Sequence, residues 1–353
     1  MRTFVLVVTA LAVLAASGAS ATASVTFVRL PAGPTFTNVE RSGHSLLVSG
    51  TAPTGDGCVW MSADARTLRL NGVSRASCSR PTRAAHRFEP VLVRDPRSFM
   101  VRVRVARVEP GHTRLLGPVV MRFRESSDTH LEWTYGPGAL WLFDTASTDG
   151  PEVIEVSMTT GRAVRSVHMP RNFRPLLAAD ADGLWLAMST SGGFSGGGAA
   201  PLYRVAPTSG GPAIVRRGGR AALWLAANGH TVWVDVVSGR TRQQILRLDG
   251  VQGRARSLGR PAGLHSGAAA LDPATQTLWL ASDVPASGSF DACPAERVVR
   301  LDGRTGTIAR VADIALPAGR CLYAEPGSTL FAFGAFYVLD DQARPNRLYR
   351  VAP

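Results

Sequence analysis

The chain has 353 residues, with 39 basic against 26 acidic side chains and a formal net charge of +13; every basic residue of the Lys/Arg class is arginine. The complete absence of lysine excludes a phosphate-loop Lys, Schiff-base chemistry and Ser–Lys catalysis. The arginines are spread along the whole chain, which reads as codon preference in a GC-rich genome, with a polyanion-binding surface as the second reading.

In chain order, "MRTFVLVVTALAVLAASGASATAS" comes first. Arg2 supplies a positive start, Phe4 to Ala16 is apolar, and small-residue cleavage sites follow at Ala19–Ala21 and Ala21–Ala23. This is the pattern of a secretory signal peptide over residues 1–23, too short for a spanning helix. The first cysteine is Cys58, so no lipidated cysteine follows the signal, and no later stretch is apolar enough to span a bilayer. The expectation is a secreted, monomeric protein whose residues 24–353 form one domain. With 36 Gly and 23 Pro and few amphipathic helical stretches, that domain is expected to be all-β.

After the signal, "SVTFVRLP" is a lone alternating strand. Beyond it a pattern recurs: a hydrophobic pair, a polar residue, an aliphatic, then a turn. It appears as "CVWMSADAR", "VARVEPGHT", "VIEVSMTTG", "LYRVAPTSG", "ILRLDGVQG", "VVRLDGRTG" and the terminal "LYRVAP". Its aliphatic falls at Met61, Val108, Val156, Val205, Leu248, Leu301 and Val351, with gaps of 47, 48, 49, 43, 53 and 50. A second strand follows most copies ("TLRLNGV", "RLLGPVVMRF", "RAVRSVHM", "PAIVRR", "RARSLG", "TIARVADI"). Upstream lie "ALWLFD", "GLWLAMS", "TVWVDV", "TLWLASD" and "TLFAFG", each preceded by one more strand such as "LEWTYG", "PLLAAD" or "LYAEPG". Four strands in each of seven units is the arithmetic of a seven-bladed β-propeller. An alternative keeps residues 25–125 as a separate N-terminal β-sandwich beside a smaller propeller; the regular gap across that border argues against it. Trp141, Trp185, Trp233 and Trp279, with Phe331 in the last unit, are expected to pack between blades. The terminal "LYRVAP" lacks a fourth strand, and Val25 to Leu30 is expected to supply it, pair with Leu348 to Val351 and close the ring.

"TLWLASD" followed by "VVRLDGRTGTIARV", and "GLWLAMS" followed by "LYRVAPTSG", resemble the secreted bacterial propellers of the YVTN-type and quinoprotein-like repeat class. The resemblance covers most of the chain after the signal. It implies blades and no particular activity.

Four cysteines in an exported chain suggest two disulfides. Cys58 opens the third strand of blade one and Cys78 follows its fourth; Cys293 sits in the second-to-third loop of blade six and Cys321 opens blade seven. Propeller topology puts both local pairs on one face, so Cys58–Cys78 and Cys293–Cys321 are expected.

Chemical motifs are weak. "GGFSGGG" matches the Gly-x-Ser-x-Gly nucleophile elbow around Ser195, but a strand and not a helix follows, so no catalytic residue is assigned. "DADG" at Asp180 to Gly183 begins like a calcium loop and lacks the distal Glu. The seven histidines form no metal spacing. Glu40, Glu132, Asp180, Asp272 and Glu325 recur near first-strand ends, where turn capping is preferred over a channel cation. No metal and no cofactor are expected.

The remaining asymmetry is loop length. "TASTDGPE", "STSGGFSGGGAAP", "SDVPASGSFDACPAE" and "GAFYVLDDQARPN" are long second-to-third loops on one face, beside the blade-crossing "RNFRP" and "RPAGLHS". They place Arg171, Phe173, Arg174, Phe194, His265, Asp283, Phe290, Asp291 and Asp341 there as candidate binding residues. The expected function is a binding or interaction module for a protein, glycan or small-molecule ligand. The alternative is a propeller enzyme of lactonase, lyase or quinoprotein dehydrogenase type.

Overall fold

The computed structural model describes residues 23–52, 58–76, 88–95, 100–109, 112–124, 131–144, 151–169, 175–188, 201–206, 211–216, 222–238, 242–250, 254–259, 266–284, 295–316, 327–340, 343 and 345–353. The regular structure of these residues is 27 β-strands in seven antiparallel sheets. After the N-terminal β1 (Ser24–Arg29), blade 1 comprises β2 (Thr35–Ser42), β3 (Ser45–Thr51), β4 (Cys58–Asp64) and β5 (Leu70–Ala76). Blade 2 comprises β6 (Phe88–Asp95), β7 (Met100–Glu109) and β8 (His112–Arg124). Blade 3 comprises β9 (Leu131–Gly136), β10 (Ala139–Asp144), β11 (Glu152–Ser157) and β12 (Ala163–His168). Blade 4 comprises β13 (Pro175–Asp180), β14 (Gly183–Met188), β15 (Leu202–Val205) and β16 (Ala213–Arg216). Blade 5 comprises β17 (Ala222–Asn228), β18 (Thr231–Ser238), β19 (Arg242–Asp249) and β20 (Arg256–Ser257). Blade 6 comprises β21 (Ser266–Asp272), β22 (Thr277–Val284), β23 (Ala295–Asp302) and β24 (Ile308–Ala315). Blade 7 joins β25 (Thr329–Ala332), β26 (Ala335–Asp340) and β27 (Arg347–Ala352) to β1.

The first strands of blades 3 to 7 and 1 approach one another in succession, β9 to β13, β17, β21, β25 and β2. First strands therefore form the hub and fourth strands the rim. Second strands lie between, with neighbours on both faces. Their sequences follow from this: "ALWLFD" and "AFYVLD" are buried at every position, and do not alternate apolar with polar. Among the described residues, six apolar clusters lie between blades. One example combines Trp233 of β18 and Ile245 of β19 with Leu278 and Leu280 of β22 and Leu301 of β23. Trp141, Trp185, Trp233 and Trp279 each belong to such a cluster, as their recurrence predicts. Burying one such indole stabilises by roughly 3 kcal/mol or more, so no blade is stable without its neighbours.

Blade 2 shows three strands among the described residues, and the segments on either side, 77–87 and 125–130, lie outside them. Its β7 is one ten-residue strand paired on both sides, with β6 before it and β8, which carries "RLLGPVVMRF", after it. The alternating run "MVRVRVARVE" offers no turn residue to divide it. One expectation is corrected, in blade 7. Phe331 lies on the first strand β25, and Tyr337 occupies the aromatic position of the second strand. Its register matches the tryptophans: Trp185 faces Arg204, Trp233 faces Arg247, Trp279 faces Arg300, and Tyr337 faces Arg350. "GAFYVLDDQARPN" is accordingly a strand followed by a shorter connection. An apolar run beginning Gly-Ala after another apolar run hides which of the two is second in its sheet.

β1 pairs antiparallel with β27, Val25 opposite Val351 and Val28 opposite Leu348. Asn346 reinforces this junction. It is 1% exposed; its carbonyl accepts from Leu30 N at 2.8 Å, and its Oδ1 accepts from Phe36 N at 3.3 Å. Its Nδ2 donates to Asp340 O at 3.1 Å. One buried amide thus ties blade 7, the segment after β1, and the start of blade 1.

Candidate functional site at the loop end of the blades

The two ends of the blades are built differently. At one end lie the first-to-second and third-to-fourth connections, which are short and locked by their own side chains. Asp64 accepts from Arg66 N at 3.0 Å, Thr67 N at 2.7 Å and Thr67 Oγ1 at 2.8 Å. Asp302 repeats this with Arg304 N at 2.7 Å and Thr305 N at 2.9 Å, and Ser157 Oγ does so with Thr159 N and Thr160 N. These hydrogen bonds, led by the backbone N–H of Thr67 and of Thr305 respectively, hold the Asp64 and Asp302 carboxyls below the usual carboxylate range. Asp272 accepts from Ala274 N and Thr275 Oγ1, and Asp180 from Asp182 N at 2.8 Å. For Asp180 and Asp272 the capping expectation holds.

Two acids at this end do more than cap. Asp180 also accepts from Trp185 Nε1 at 3.1 Å, and burial pushes its carboxyl above the ordinary value. Asp182 meets His230 Nδ1 of blade 5 at 2.9 Å. With Ala181 N donating to Gly229 O, the "DADG" turn is a joint between blades 4 and 5. Glu132, on the hub strand β9, caps nothing among the described contacts. It meets solvent, yet protein surrounds it closely enough that burial pushes its carboxyl above the ordinary range.

The opposite end carries the long second-to-third connections. Of the nine candidate binding residues, Arg171, Phe173, Arg174, Phe194, His265, Phe290, Asp291 and Asp341 lie outside the described residues, as do Ser195, Cys78, Cys293 and Cys321. Asp283 sits near the end of β22, opposite Glu296 on β23. Cys58 opens β4 opposite Ala76 of β5.

At this loop end the structure adds acids that loop composition does not single out. Asp144, Asp235, Glu296 and Asp340 lie on second and third strands toward the loop end and are almost fully buried. Asp340 Oδ1 accepts from Ala343 N at 3.0 Å, holding the connection that follows it. A signal for the aspartates exists in the sequence: in "LWLFD", "VWVD", "LWLASD" and "FYVLD" an Asp follows the recurring aromatic by two to four places. Buried carboxylates next to long loops can anchor those loops, accept protons or bind a cation. Among the described residues, no group of three His, Cys, Asp or Glu side chains gathers as a metal site.

Radial sheets with first strands at a hub define a β-propeller. No protein-family model matches this chain, and no curated protein matches it. Solved structures do share the fold. The β-propeller domain of the Trilobed protease from Pyrococcus furiosus superimposes with a TM-score of 0.57 at 8% identity, over 91% of this chain and 94% of that one. A chain of Kuenenia stuttgartiensis hydrazine synthase gives 0.53 at 12% identity, over 91% and 96%. Oligogalacturonate lyase from Vibrio parahaemolyticus gives 0.52 at 11% identity, over 94% and 98%. Identities this low carry the propeller fold and no function.

Proposed function

We propose that this chain is an exported, ring-closed seven-bladed propeller that binds a protein, glycan or small-molecule ligand through the loop end of its blades. The observation that supports this is the contrast between the ends. At one end short turns consume their own polar groups in caps; at the other, long connections emerge above a row of buried carboxylates. Functional residues on repeat scaffolds concentrate in such connections.

A propeller enzyme is the second reading, favoured by Asp144, Asp235, Glu296 and Asp340 at that same end, where acid–base or cation chemistry would need them. The test uses the chain purified from an exporting host. Metal and quinone content is measured first, then binding to an immobilised glycan and metabolite panel. The binding reading expects a ligand whose retention is lost in Arg171→Ala, Arg174→Ala or Phe194→Ala and kept in Thr67→Ala at the opposite end. A stoichiometric cation or quinone would replace it with the enzyme reading.

A further inference from the structure

Among the described residues, β1 is the rim strand with two exposed large apolar side chains. Val25 is 37% and Phe27 50% exposed, whereas β5, β12, β16 and β24 expose one each. Register gives the face. Val25 and Phe27 stand opposite Val351 and Tyr349, which pack toward Trp279 of blade 6. The Phe27 and Tyr349 rings lie 5.7 Å apart, and the Arg347 guanidinium lies 5.2 Å from the Phe27 ring centroid. Arg29 has the same parity, is exposed, and stands directly across from Arg347.

The charges along this stripe are in cationic excess. Asp340 stands opposite Arg347 on its inner side and is buried, which leaves Arg29 at the open end of the row without a carboxylate beside it among the described residues. Like charges directly opposite on a sheet destabilise it, and a negative surface beside them removes that cost. On β24, the adjacent rim strand, Arg310 and Arg297 of β23 share the single Asp313. The course of the chain states what lies near. Residues 17–23 separate the apolar run ending at Ala16 from β1, at most about 25 Å of extended chain. A leader held in the membrane until it is cut keeps the β1 rim nearest the bilayer. Apolar side chains flanked by arginine suit the boundary between lipid tails and anionic headgroups. A purely anionic polymer would meet the arginines and leave Phe27 in water.

We propose that the β1 rim of blade 7 docks on an anionic phospholipid surface, with Val25 and Phe27 entering the headgroup layer and Arg29 and Arg347 meeting lipid phosphates. Two apolar side chains and a few charges give reversible attachment and not insertion. The setting rests on the exported reading of the chain. The surface is a rim, separate from the connections proposed to bind ligand.

The probe is vesicles of phosphatidylglycerol mixed with phosphatidylcholine, with pure phosphatidylcholine vesicles as control, sedimented with the chain purified from an exporting host. Binding to the anionic vesicles is expected. Phe27→Ser and Arg29→Glu should each weaken it by about fivefold or more. Ile214→Ser on blade 4 and Arg254→Glu on blade 5 make the same changes at other rims and should leave it unchanged, which separates this stripe from the net charge of the chain. Melting curves check that each variant is folded, and Arg29→Glu, at an exposed position, decides the matter if Phe27→Ser is not. Intact mass reports leader removal separately: a retained leader contradicts the exported reading, and the two pairs of variants still decide the docking. No binding, an equal loss in the control variants, or binding by both Phe27→Ser and Arg29→Glu as tight as the parent's overturns the proposal.

Discussion

Trp233 Nε1 donates to the main-chain carbonyl of Gly303 at 2.9 Å, across 70 residues and from blade 5 to the third-to-fourth turn of blade 6. Arg247, opposite Trp233 on β19, donates to the same oxygen at 2.9 Å. The device recurs: Tyr337 Oη donates to Ala65 O at 2.6 Å from blade 7 to the turn of blade 1, and Arg165 donates to Ala206 O from blade 3 to blade 4. In blade 3 the third strand has Glu155 opposite Trp141, and Arg165 of the fourth strand pairs with Glu155 at 2.8 Å and takes the donor role. An aromatic or arginine on one blade thus grips a turn carbonyl on the next.

Trp233→Ala should lower stability by about 3–5 kcal/mol, and Trp233→Phe, which keeps most of the volume, by about 1–3 kcal/mol through the lost donor. Gly303→Ala should be destabilising as well, since a Cβ there would come within 2.3 Å of Gln276 O and 2.9 Å of Trp233 Nε1. Urea unfolding of the single and double variants measures this. Additive effects of Trp233→Phe and Gly303→Ala would contradict direct coupling of the two.

Removal of residues 24–31 takes away β1 and Leu30, leaving β27 as an open edge and Asn346 without one of its partners. The shortened chain should lose cooperative unfolding and self-associate, seen as broadened melting and light scattering. Asn346→Ala should cost about 1–3 kcal/mol, because the buried Phe36 N–H loses its acceptor. A deletion variant as stable as the full chain would contradict ring closure by β1.

Two carboxylates should give opposite pH slopes. Burial raises Glu132 above its ordinary 4.5, so the native state binds more protons than the unfolded state between 4.5 and the raised value. Stability therefore falls as pH rises through that window and stays lower above it. Glu132→Gln should melt higher than the parent at pH 7, with the difference vanishing below pH 4.5. Asp302 is depressed below its ordinary 3.8 by the N–H groups of Thr305 and Arg304, so its contribution is present above 3.8 and lost as pH falls through the depressed value. Asp302→Ala should melt lower at pH 7 and converge with the parent in strong acid. Thermal melts from pH 2 to 8 test both signs.

We propose the disulfides Cys58–Cys78 and Cys293–Cys321. Cys58 faces Ala76, which places Cys78 two residues past its strand partner. Trypsin cuts this lysine-free chain only after arginine, and Arg66, Arg69 and Arg75 separate the first pair, so non-reducing peptide mapping resolves the linkage. A Cys58–Cys321 peptide would contradict the pairing.

Much of the fold was legible because blade geometry imposes a rule on single positions. The aromatic of the second strand must sit between two sheets, so Trp141, Trp185, Trp233 and Trp279 mark the same place four times. Where the rule used a different residue type, the reading failed. Tyr337 was hidden behind the earlier apolar run holding Phe331. The buried acids of the loop end were legible only as a faint recurrence of Asp after the aromatic, because spacing along a strand does not state which end of the blade a carboxylate reaches.

By itself the sequence determined the all-β class, the recurring strand units, the inter-blade tryptophans and the capping aspartates, since each follows from local periodicity or turn chemistry. Tertiary structure alone decided the bonds from Trp233 to Gly303 and from Tyr337 to Ala65, and the junction held by Asn346. Those depend on which blade stands beside which. Such adjacency is set by packing between residues tens to hundreds of positions apart, and no local pattern encodes it.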